Sequence, residues 1–186
     1  MLVIQAQLCI SELHRLFFHF PYNFILFLCE IKCYINFMAK IRITKEFHFE
    51  MAHALWNYDG LCKNIHGHSY ILEVTIIGEP VSDENSPKLG MVMDFGELKS
   101  IINKEIINRL DHCVVVNSKM PQNQTSNLSE ITERLIIVDY QPTCENLLID
   151  FAQRLKRYFS DTIKLHSLKL RETSSSYAEW HDSDNI

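Results

Sequence analysis

The chain is poor in the two residues that punctuate loose or repetitive structure. Five glycines and five prolines among 186 residues exclude a collagen-like or low-complexity protein. Excess positive charge is also missing: the formal net charge is −5, so the basic footprint of a nucleic-acid-binding protein is absent and no nucleic-acid partner is expected. A small anionic substrate needs only a local basic cluster, which this balance permits. No two cysteines form a Cys-x-x-Cys pair. The six, at positions 9, 29, 33, 62, 113 and 144, do not have the spacing of a disulfide framework, which points to a reducing, cytoplasmic setting and leaves Cys62 free for chemistry.

A membrane-length apolar run is lacking too. The stretch Leu16–Leu28 is shorter than the roughly 20 residues a spanning helix needs, and Pro21, Asn23, Glu30 and Lys32 interrupt it and its surroundings. The N-terminus offers neither a basic start nor a clean small-residue cleavage site. No membrane partner is expected. Residues 1–37 are set apart as a non-native or dispensable extension, with Met38 as the natural start and residues 38–186 as the working domain. A peptide from residues 1–37, found by mass spectrometry of the native protein, refutes that expectation.

What is present is a well-patterned globular domain, 47% hydrophobic and 22% charged, enough to bury a core. From Ile41 to His53 the residues alternate, with Phe47, Phe49, Met51 and His53 on one face, as in a half-buried strand. Asn57-Tyr58-Asp59-Gly60 marks a loop. A second strand runs from His66 to Ile77 and places His66, His68, Tyr70, Leu72, Val74 and Ile76 together. Met91-Val92-Met93 reads as a short strand, and Asp94 with Glu97 as a capping box opening a helix through Leu110. Residues 118–133 are polar and read as a surface excursion. Thr143 caps a second helix, Lys164–Glu172 alternates as a last strand, and the tail from Ser174 is polar apart from Tyr177 and Trp180. The order is that of an α+β domain, an antiparallel sheet with helices on one face. Its uncovered edges predict oligomerisation.

His53 with His66-Gly67-His68 carries the strongest chemical signal. Residues two apart on a strand point the same way, so His66 and His68 reach one metal ion and His53 supplies a third nitrogen. Three histidines with an open position suit catalytic zinc. The plain alternative is a pair of exposed strand histidines. Gly67 spares a side chain where backbone approaches closely. Cys62, four residues before His66, reads as a thiolate, a buried small hydrophobe or a fourth zinc ligand. In Asp111-His112 the aspartate sets the imidazole tautomer for proton transfer, provided the pair sits in a turn; a helix-end cap is the alternative. Glu172 suits a guanidine-like ring edge, although from the residues alone a solvated strand-end glutamate is the plainer reading.

Taken in order, these segments resemble the 6-pyruvoyl- and 6-carboxytetrahydropterin synthase family over Lys40 to Trp180. The motifs are Phe49-Glu50-Met51-Ala52-His53, Cys62 with His66-Gly67-His68, and Val92-Met93-Asp94-Phe95-Gly96-Glu97-Leu98-Lys99. They continue with Leu110-Asp111-His112 ahead of Asn117, Pro142-Thr143-Cys144-Glu145-Asn146 and Arg171-Glu172-Thr173. The resemblance implies that His53, His66 and His68 bind Zn2+, that Cys62 is the catalytic thiolate and that Asp111 and His112 relay protons. Glu172, with Thr143 and Glu145, is implied to hold the pterin. The implied architecture is the tunnelling fold, an antiparallel four-stranded sheet with two helices packed on one face. The implied assembly is a homo-hexamer, a dimer of trimers with sites between subunits. The implied substrate is 7,8-dihydroneopterin triphosphate. The interval Lys63-Asn64-Ile65 between Cys62 and His66 is similar to the queuosine-type enzymes rather than the biopterin type, and residues 118–139 depart from the shortest members as an insertion. The rivals are a pyruvoyl-forming enzyme and a non-catalytic, zinc-stabilised binding module.

Overall fold

Residues 39–185 are described by the structure, a computed structural model; the N-terminal stretch singled out above lies outside them. Strands β1 (Ile41–Ala54) and β2 (His66–Gly78) pair antiparallel along their length, from Ile41 opposite Gly78 to His53 opposite His66. Alternation dictates the register, because Phe47, Phe49, Met51 and His53 are buried while the residues between them are more exposed. Helix α1 (Phe95–Ile102) starts at Asp94, whose carboxylate accepts from the Gly96 amide at 2.6 Å. Glu97 does not complete a capping box; it pairs with Lys88 at 2.7 Å instead. The helix runs on through a π turn, Asn103–Ile107, and a last turn, Asn108–Leu110. Then come β3 (Cys113–Asn117), α2 (Gln122–Ile131), β4 (Leu135–Val138), α3 (Cys144–Lys156), β5 (Ile163–Arg171) and β6 (Tyr177–His181).

The α+β class holds, but the antiparallel four-stranded sheet with two helices is corrected. The sheet has six strands in the order β4-β3-β1-β2-β5-β6, with β3 parallel to β1 and β4 parallel to β3. Three helices are present among the described residues. The excursion at 118–139 supplies α2 and β4, a small β-α-β unit. Its polarity hides it, since α2 buries only Leu128 and β4 is a four-residue edge strand. Strand β3 is a short apolar run without alternation, which periodicity does not identify. Met91-Val92-Met93 forms a bend rather than a strand.

Helix α1, the π turn after it and α3 supply Leu98, Ile102, Ile106, Leu147, Phe151 and Leu155, all fully buried against Tyr70, Leu72, Val74, Leu168 and Leu170. Truncating a buried aromatic such as Phe151 to alanine costs about 3–5 kcal/mol. A smaller cluster of Ala54, Val116 and Leu128 lies under α2. Because the inward parity of β1 and β2 is covered along the sheet, the histidines that continue it are delivered to the covered face. No described helix is long and apolar enough to cross a membrane.

Candidate metal centre

At the paired ends of β1 and β2, His53, His66 and His68 offer nitrogens that all lie within 4.8 Å of one another. Backbone carbonyls set two of the tautomers. His53 Nδ1 donates to Pro142 O at 2.7 Å, and His66 Nδ1 donates to Asn64 O at 2.8 Å. A carbonyl only accepts, so the proton of each neutral ring is on Nδ1 and the Nε2 lone pair is bare. Those two Nε2 atoms face each other at 3.1 Å. Lone pairs aimed at each other repel unless a cation lies between them. Two ligands of a tetrahedral zinc at about 2.0–2.1 Å stand roughly 3.3 Å apart, so the donor set fits such an ion. Burial pushes the His53 pKa below its ordinary value, against the Pro142 carbonyl and with help from His66. That favours the neutral, metal-binding form.

Glu172 closes one side of the cluster. Its Oε1 lies 3.6 Å from both His53 Nε2 and His68 Nε2, and it accepts from the Tyr70 hydroxyl at 3.0 Å. Tyr70 is fully buried, and burial together with Glu172 keeps its hydroxyl protonated, the donor form. Sequence reasoning grouped Tyr70 with the histidines by parity and gave it no role. Cys62 stands in the 3-10 turn Leu61–Lys63, half-buried, outside the converging nitrogens. Thr143 caps α3, its hydroxyl accepting from the Asn146 amide at 3.4 Å, and Glu145 is exposed in the first helical turn. Gln141 was missed because nothing in its neighbourhood marks it. Its side-chain amide accepts from Trp56 N at 3.1 Å and donates to Trp56 O at 2.8 Å. That clamp ties the chain just after β1 to the residue before Pro142, and Pro142 orients His53. Gly67 is not demanded by crowding, since an added Cβ meets Met51 O at an ordinary 3.4 Å.

Asp111 and His112 do sit in a turn, with His112 at φ 59° and its Nδ1 3.0 Å from Asp111 Oδ1. The same Oδ1 accepts from the Glu50 amide at 2.9 Å. That bond, assisted by His112, holds the Asp111 carboxyl below its ordinary pKa. The His112 side chain is 73% exposed. It lines a pocket of about 370 Å³ with Glu50, Ala52, Gly67 and Ser69, together with Met51 and His68. Glu50, Ala52, Gly67 and Ser69 have the opposite strand parity to the histidines, so the pair faces the side of the sheet away from the converging nitrogens, and His68 borders both.

A three-histidine centre at the end of a β1–β2 pair, with His53 buried and His66 and His68 half-buried, and an Asp-His pair behind it, defines a class. The chain belongs to the 6-pyruvoyl tetrahydropterin synthase family, whose sequence profile matches residues 42–183. Within it, the chain is 35% identical over 144 residues to the 6-carboxy-5,6,7,8-tetrahydropterin synthase of Haemophilus influenzae, which spans 76% of this chain and 99% of that protein. It is 29% identical over 168 residues to the protein of the same name from Aquifex aeolicus, covering 77% of this chain and 99% of the other. In three dimensions it resembles the 6-pyruvoyl tetrahydropterin synthase of Caenorhabditis elegans, at a TM-score of 0.55 and 23% identity over 77% of this chain and 96% of that one. An uncharacterized protein of Wolinella succinogenes is similar in fold, at a TM-score of 0.61 and 20% identity over 77% of this chain and 99% of that one.

Proposed function

We propose that the chain is a zinc-dependent lyase, a 6-carboxy-5,6,7,8-tetrahydropterin synthase. It converts 7,8-dihydroneopterin triphosphate and water to 6-carboxy-5,6,7,8-tetrahydropterin, acetaldehyde and triphosphate, a step of queuosine biosynthesis. The observation that carries the metal assignment is the pair of bare, facing Nε2 atoms of His53 and His66. The names of the relatives support the product. When bound, the metal supplies Lewis acidity that polarises the oxygens of the substrate side chain. The chain's own residues do the rest. Cys62, as thiolate, removes a proton from the side chain. Asp111 holds His112 through Nδ1 and leaves Nε2 to carry a proton to or from the substrate. Glu172 has one oxygen fixed by Tyr70 and the other open to the pterin amino group, and Thr143 and Glu145 join it in holding the pterin.

The two faces also support an assembly. Since Asp111-His112 and the histidines point away from each other, the pair serves the metal centre of a second copy, and the protein works as a homo-oligomer, a hexamer of two trimers. Residues 38–186 form the working domain. The described cysteines Cys62, Cys113 and Cys144 are free thiols, in keeping with a cytoplasmic enzyme.

The test is mass spectrometry of the products after zinc-loaded protein meets 7,8-dihydroneopterin triphosphate. Carboxytetrahydropterin with acetaldehyde is expected. A pyruvoyl product moves the chain to the other branch of the family, and the absence of turnover leaves a zinc-stabilised binding module.

A further inference from the structure

Glu50 lies on β1, on the face opposite to His53. Its amide holds Asp111 Oδ1 at 2.9 Å, and its carbonyl accepts from the His112 amide at 2.6 Å. Both use only the main chain of Glu50, so they fix the Asp111-His112 turn on β1 whatever side chain occupies position 50. The Glu50 carboxylate is therefore not needed to hold the pair. It lies directly across the β1–β2 register from Ser69, whose hydroxyl donates to Oε2 at 2.8 Å. Glu50, Ser69 and His112 together line the pocket of about 370 Å³.

That wall has a definite chemistry. An ionised carboxylate only accepts hydrogen bonds, and Ser69 has already committed its proton to it. A phosphate meets repulsion there. A hydroxyl meets an open acceptor, Oε1, on the surface that the His112 ring also faces.

We propose that Glu50 is a substrate-positioning residue whose carboxylate, in the pocket it shares with Ser69 and His112, accepts a hydrogen bond from a hydroxyl of the C6 side chain of a pterin held at the metal centre of a second copy. This rests on the pterin reading above. It assigns the hydroxylated side chain to this wall, and the ring and the triphosphate elsewhere. Fixing that hydroxyl fixes the distance over which His112 moves a proton.

The experiment is a fluorescence titration of the full-length, zinc-loaded protein with neopterin, which carries side-chain hydroxyls, and with 6-methylpterin, which carries none. Wild type binds neopterin more tightly. Glu50→Ala weakens neopterin by about 10- to 100-fold, the range for a hydrogen bond to a charged group, and changes 6-methylpterin less than twofold. Glu50→Gln, which keeps an acceptor oxygen, recovers part of the loss. An unchanged neopterin affinity in Glu50→Ala overturns the proposal, as does an equal loss for both ligands, which places the ring edge at this wall. A wild type that does not prefer neopterin overturns it as well. A fall in zinc content or melting temperature matching the loss of affinity makes Glu50 structural and also overturns it. Should the neopterin effect appear while the triphosphate substrate is not turned over, the proposal stands and the enzymatic reading alone fails.

Discussion

Two polar clusters in the interior behave in opposite ways. Glu105, in the π turn after α1, is only 5% exposed, yet both its oxygens have donors, Arg157 at 2.7 Å and the Tyr158 hydroxyl. Near the start of α3, where Pro142 holds His53, His53 and His66 have spent their Nδ1 protons on carbonyls, and their remaining lone pairs meet head-on. The Glu105 cluster is closed, each charge answered within the chain, and it joins α1 to the end of α3. The histidine cluster is answered only by something that accepts electron pairs. Each cluster has one buried member, Glu105 in the first and His53 in the second, so burial alone does not separate a structural polar group from a functional one. The partner count at each lone pair does.

Substitutions can break that comparison, and the largest effect is expected at the open cluster. His66→Ala abolishes stoichiometric zinc and turnover while leaving the urea midpoint of the metal-free protein nearly unchanged; metal analysis and equilibrium unfolding check both halves. A His66→Ala protein that still holds its zinc removes the centre from these residues. Next comes Cys62→Ala, which separates metal binding from proton transfer. Zinc stays, and turnover falls about 10²–10⁴-fold, the usual loss for a positioned acid or base; near-normal turnover ends its catalytic role. Smaller again is Gln141→Ala, which loosens the Trp56 clamp and lets Pro142 drift from His53. Zinc affinity, measured by competition with a chromophoric chelator, drops about 10- to 100-fold, as is typical when groups supporting a ligand are lost. An unchanged affinity shows that Pro142 is held without the clamp.

How much of this was legible in the sequence depends on whether a residue acts through its own periodicity. The histidines were, because parity on two alternating strands brings them to one face before any fold is known. The Asp111-His112 turn was legible as a condition. Its separation from the histidines by the thickness of the sheet was not, since nothing local says that β3 runs parallel to β1. Strand β6 and the α2–β4 unit escaped because edge elements bury little: Trp180 in β6 and Leu128 in α2 are the buried residues there. Gln141 acts through the main chain of Trp56, 85 residues away, and the main-chain amide of Glu50 holds the Asp111 carboxylate, 61 residues away. A single sequence holds no trace of such pairings.

The smallest effect belongs to the closed cluster, and its sign follows from protonation. The Tyr158 hydroxyl first, then the Arg157 guanidinium, hold the Glu105 carboxyl below its ordinary value of 4.5, against desolvation. The folded state therefore binds that proton less readily than the unfolded chain. The stability Glu105 contributes is complete above pH 4.5 and is lost as pH falls through the lower folded value. Glu105→Gln keeps the shape but sets an amide against Arg157. Its urea midpoint is expected below that of wild type at neutral pH, with the gap narrowing in acid. Salt trims the gap as well, because the Arg157 side chain is 63% exposed and its charge is screened. Zinc content and turnover stay at the wild-type level. A gap that persists undiminished in acid assigns the loss to packing rather than charge. A loss of zinc in Glu105→Gln means that the two clusters are coupled through α1 and α3, and the contrast between a closed and an open cluster no longer holds.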